Sequence, residues 1–167
     1  MILKSELNAR NKITAIGALA VPVLRYCSGI INWRTEEIKK IDSKTRKMLT
    51  MYKMRHPRAD IDRLYVKRKE EGRGLVQIEV AYKAEIMNIA EYLSTNYKKD
   101  QFVNIIKSQE STHPNMNSII KTAAKITEEV SQPNEKSDAE QDGIQHTKAR
   151  LGESLKEKWE NKILHGQ

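Results

Sequence analysis

Between residues 75 and 93 the large apolar side chains fall at Leu75, Ile78, Tyr82, Ile86, Ile89 and Leu93. Intervals of three and four keep all six on one face of an α-helix, whereas a strand, with its period of two, would scatter them over both faces. Asn96 is the expected stop. The same spacing runs through most of the chain. From Asn8, the residues Ile13, Ile16, Ala20, Val23, Leu24, Cys27 and Ile31 share a face, and Leu19, Val21, Tyr26 and Ile30 fill in the rest. A helix apolar nearly all round is expected at the centre of a fold. Pro22 cannot donate to the carbonyl of Ala18, so a kink or break is expected there.

A third periodic stretch begins at Thr35, an expected N-cap followed by Glu36 and Glu37, and runs to about Tyr52. Its apolar face reads Ile38, Ile41, Thr45, Met48, Leu49 and Tyr52. At 100° per residue Lys40, Lys44 and Lys47 fall opposite that face, with Lys39 and Arg46 on a flank. Pro57 can open a short helix through Asp60, Asp62 and Leu64, and residues 69–74 then read as a basic turn or small hairpin. Further helices are expected from Asp100 to Gln109 and from Pro114 through Ile119, Ile120, Ala123, Ile126 and Val130. The run SQPNEKSDAEQDG, residues 131–143, has no large apolar residue with which to offset the entropy of ordering and reads as a disordered acidic linker. Beyond it Leu151, Leu155, Trp159 and Ile163 mark an amphipathic C-terminal helix.

With 31% charged residues, seven Gly, four Pro and a single Phe, composition agrees with an all-α bundle of five to six helices. The expected organisation is a helical domain over 1–96, additional helices over 97–130, the linker over 131–146 and the last helix over 147–167.

Charge is concentrated as sharply as the periodicity is spread. Residues 25–73 hold 15 Lys and Arg against 7 Asp and Glu, a net of +8, which equals the excess of the whole chain. Such a field, interleaved with Tyr26, Trp33, Tyr52 and Tyr65, points to a polyanion and, with so much Arg, to nucleic acid. The candidate phosphate ligands are Arg25, Arg34, Lys40, Lys44, Lys47, Arg55, Arg58, Arg63, Lys67, Arg68 and Arg73. An ordinary solvated helical surface is the plainer account of the same charges.

Enzyme chemistry finds few footholds. Cys27 is the only cysteine, and His56, His113, His146 and His165 form no HxxxH pair, so no zinc set is expected. Gly72-Arg73-Gly74 lacks the residues of a phosphate loop, and there is no GxSxG. Asp60 and Asp62 are expected to serve a helix N-terminus and pair locally with Arg58 and Arg63 rather than hold a metal. The N-terminus has no apolar leader, and Pro22, Arg25, Ser28 and Gly29 interrupt the stretch 13–31, so a cytoplasmic or nuclear chain without a membrane partner is expected.

Several ordered motifs carry a resemblance: LNARNKI (7–13), VPVLRY (21–26), GIINW (29–33), DSKTRK (42–47), HPRAD (56–60) with DRLY (62–65), and GRGL (72–75). Together they resemble the region immediately after the polymerase core in non-LTR retrotransposon reverse transcriptases. The likeness covers roughly residues 3–95, and Trp159 with 163–167 resembles a later block of the same polyproteins. The resemblance implies a thumb-like helical segment that grips RNA–DNA or DNA duplex behind the palm, together with the rest of the polymerase. It implies no activity for this chain alone: the aromatic-x-Asp-Asp turn that holds two metal ions is missing, the palm would lie upstream of Met1, and Mg²⁺ would belong to it, so no cofactor is expected here. Two other readings stay open from the residues. One is a helical protein-interaction module offering Leu151, Leu155, Trp159 and Ile163 to a partner helix; the other is a decayed element copy with no nucleic-acid role.

Overall fold

A computed structural model describes residues 2–112, 118–130, 150–151 and 153–162; among them there is no strand, and the chain is all-α. After a 3-10 turn at Ile2–Lys4, helix α1 spans Ala9–Ala15, and the side chain of Asn8 caps it by accepting the N–H of Asn11 at 2.8 Å. A π turn at Ile16–Ala20 leads into α2, Val21–Tyr26. Pro22 has no N–H for the carbonyl of Ala18, and the chain meets that gap with a wider turn, the N–H of Val21 reaching back to Ile16. The break expected at Pro22 is thus a change of helical register one turn before it.

Helix α3, Thr35–Met51, starts one residue after Arg34, whose backbone N–H donates to the Glu37 carboxylate at 3.1 Å. It ends in a tight reversal, with Met54 donating to Leu49 (2.9 Å) and Lys53 to Thr50 (3.0 Å) while Lys53 takes the left-handed φ of 55°. This double bond pattern is a Schellman motif, and Leu49 and Met54, which it brings together, are both buried in one apolar cluster. No helix begins at Pro57. The Asp60 carboxylate instead accepts the N–H groups of Asp62 (2.7 Å) and Arg63 (3.2 Å), so the next helix, α4, is the single turn Asp62–Tyr65.

A strap, residues 66–75, follows. Rather than a strand hairpin it is a loop closed by three backbone bonds, Arg73 to Arg63, Gly74 to Val66 and Leu75 to Leu64, around a 3-10 turn at Arg68–Glu70. Gly72 is required: a Cβ there would sit 2.0 Å from the Val66 carbonyl oxygen.

Helices α5 (Ile78–Asn96), α6 (Gln101–Thr112) and α7 (Ile119–Val130) follow, and a last helix, α8, is described at 150–151 and 153–162. The hub is α5, which packs against α2, α3, α6 and α7. One apolar cluster joins Ile13, Leu49, Leu64, Tyr65 and Leu75; the other joins Ile86, Met87, Ala90, Ala123, Ile126 and Leu151. The expectation that the stretch 13–31 would be central is corrected here. Ile13 and Val21 are buried, but Leu19, Val23, Tyr26 and Ile30 face outward, because no described element packs over that side. The acidic linker expected over 131–146 lies outside the described residues.

The join between α3 and α5 is made by a carboxylate. Asp42, only 3% exposed, accepts the N–H of Ile78 at 3.0 Å and that of Glu79 at 3.2 Å, so a side chain of α3 caps the first turn of α5. Burial pushes the Asp42 carboxyl above its ordinary value, and the two backbone donors and nearby Arg46 only partly oppose that rise.

Candidate nucleic-acid interface

The packing of α3 decides which of its cations reach solvent. Ile38, Asp42 and Leu49 are buried, and Ile41 and Thr45 half-buried, on the side that meets α5 and the strap; Lys40, Lys44 and Lys47 are exposed on the opposite side. The helical geometry read from the sequence holds for this row. Met48, counted with the apolar face, is instead exposed. Arg46, on the flank, donates to the Tyr65 hydroxyl at 2.9 Å and ties α3 to α4.

The arginines of the following loops are used differently. Arg55 donates to the carbonyl of Ala59, Arg63 to Glu71 at 3.3 Å, Arg73 to Met54 at 2.7 Å, and Arg68 reaches the carbonyl of Arg10 at 3.4 Å. Each guanidinium has five N–H donors, so at exposed Arg63, Arg68 and Arg73 one bond to a carbonyl fixes the loop and leaves other donors for a phosphate, whereas Arg55 is half-buried with its Nε–H enclosed and unpartnered among the described residues. Arg25 stands apart. It forms an ion pair with Glu85 of α5 at 2.5 Å, on the α5 side of the fold and not beside the lysine row of α3. Arg34, Lys40, Lys44, Lys47, Arg58 and Lys67 are exposed and make no side-chain hydrogen bond or ion pair with the described residues. These six are the unengaged members of the candidate set.

Asp60 and Asp62 pair with neither Arg58 nor Arg63. Both converge on the ammonium of Lys162, a hundred residues on, with Asp60 at 2.9 Å and Asp62 in direct contact. Burial alone would raise the Asp60 carboxyl, but Lys162 and the N–H groups of Arg63 and Asp62 outweigh it and hold it below its ordinary value. The Asp62 carboxylate, and then that of Asp60, hold the Lys162 ammonium above its own ordinary value. One turn earlier Trp159 lies against Arg63, the guanidinium carbon 5.8 Å from the ring centre, and Lys156 faces Glu70 at 3.8 Å.

The stripe proposed as a partner surface therefore turns inward. Leu151 is buried in the α5–α7 cluster, Leu155 packs against the α3–α4 cluster and Trp159 is half-buried, while Ile163 lies outside the described residues. Asp42 and Lys162 were missed as structural residues. An acid on the inner face of an amphipathic helix, between Ile38 and Leu49, was the available sign of the first; nothing local marks the second.

No helix among the described residues is long and apolar enough to cross a membrane. No protein-family model, curated protein or solved structure matches the chain.

Proposed function

We propose that this chain binds template–primer nucleic acid, an RNA–DNA or DNA duplex, through its phosphates and without reading sequence, as a non-catalytic segment of the thumb type. The observation that supports the reading most is the outward row Lys40, Lys44 and Lys47, set in the segment that carries the entire charge excess of the chain. Phosphate recognition needs cations with free donors at the surface, and Arg34, Arg58 and Lys67 are three more exposed cations. Arg55, Arg63, Arg68 and Arg73 hold the loops in shape, and the exposed three, Arg63, Arg68 and Arg73, keep donors to spare. The reading assigns no chemistry and no cofactor to this chain, and places it in the cytoplasm or nucleus.

The test is a salt titration of duplex binding by fluorescence anisotropy. If the six unengaged cations each displace a counterion from DNA, log K falls against log salt with a slope near −5, about 0.9 per phosphate. Replacing Lys40, Lys44 and Lys47 together with Ala should reduce that slope by about 2.7 and leave the helix content unchanged. Two unrelated duplex sequences should bind alike. No binding at low salt, or binding indifferent to salt, rejects the proposal.

A further inference from the structure

Leu19, Val23, Tyr26 and Ile30 recur at intervals of four, three and four and are 63%, 64%, 82% and 81% exposed. The stripe ends at a groove lined by residues 28–32 together with α5, α6 and α7, where Ile30, Ile31, Ile105 and Ile106 share one lining. Phe102, one turn earlier on α6, is 77% exposed. No charged residue occurs in 13–24, in 26–33 or in 101–106, and Arg25 beside the stripe is occupied by Glu85.

We infer that this face is the contact between two copies of the chain. Aromatic side chains carry about 150–250 Å² each and aliphatic ones somewhat less, so these eight residues present on the order of 800 Å², one partner's share of a standard interface. A patch of that size exceeds what monomers ordinarily leave in water, about 300–600 Å² at most. Among the described residues no element packs over these side chains.

An uncharged apolar face meets its own copy without repulsion, and a patch that pairs with itself closes a two-fold dimer. The lysine row of α3 points away from α5, on which both halves of the face are mounted, so pairing leaves that row in solvent.

Sedimentation velocity of the full chain over a wide concentration range tests this. A reversible monomer–dimer equilibrium is expected, with a Kd on the order of micromolar or tighter. Tyr26→Lys and Ile30→Glu change outward side chains, so circular dichroism should match the wild type while Kd rises by about thirtyfold or more. A wild-type chain monomeric at every concentration overturns the inference, and so does a dimer that both variants leave unchanged.

Discussion

Replacing Asp42 with Ala removes the side chain that caps the first turn of α5. Two N–H groups then lose their acceptor. That of Ile78 is buried with its residue, so leaving it unpaired costs about 2 kcal/mol; that of Glu79 is half-buried and can recover water, so about 1 kcal/mol is expected there. Relief of the buried charge offsets part of the sum, and a net loss between about 2 and 3 kcal/mol remains. Asp42→Asn keeps one acceptor for Ile78 but turns an NH₂ toward Glu79, and should lose roughly half as much. Urea unfolding followed by far-ultraviolet circular dichroism reads both. The raised carboxyl adds a pH test: because the folded state holds the proton more tightly, Asp42 contributes most below the unfolded value near 3.8, and that contribution fades as pH rises through the higher folded value. Wild type should therefore gain on Asp42→Asn as the solution is acidified from neutrality. An alanine variant within about 0.5 kcal/mol of wild type, or an asparagine variant as damaged as the alanine one, would refute the capping role.

Gly72→Ala should destabilise the chain by about 3 kcal/mol or more, since its Cβ would meet backbone, the Val66 carbonyl, and not a side chain that could swing aside; thermal unfolding near the wild-type midpoint would contradict this. The tie between α8 and the Asp60–Asp62 pair should fail at both ends of the pH scale. The depressed Asp60 loses its contribution as pH falls from 3.8 through the folded value, and the raised Lys162 loses its own as pH rises beyond 10.5. Trp159 fluorescence in a Trp33→Phe background reports that release, and a flat acid limb would contradict it.

Periodicity made the helices and the outward lysine row legible, because both depend on residues a few places apart. α5 stops at Asn96 as its pattern indicates, and Lys40, Lys44 and Lys47 lie where 100° per residue puts them. What was not legible depends on partners distant in sequence. Asp60 and Asp62 read as neighbours of Arg58 and Arg63, yet the Asx turn at Asp60 and an ammonium a hundred residues away decide their pairing. Leu19, Val23, Tyr26 and Ile30 look like core in sequence, and only the packing shows that nothing described covers them. Pro57 suggested a helix start, but the Asp60 side chain captured the donors that a helix would have used.

The guanidinium bonds of the strap and of the loop before α4 make charge and conformation inseparable at Arg55, Arg63 and Arg73. A lysine at any of the three keeps the positive charge but cannot span a carbonyl and a second acceptor with one planar group. Such a change would leave the long-range field intact while loosening the loop that presents it. Under the proposed duplex binding, encounter would stay fast and the bound state would become short-lived.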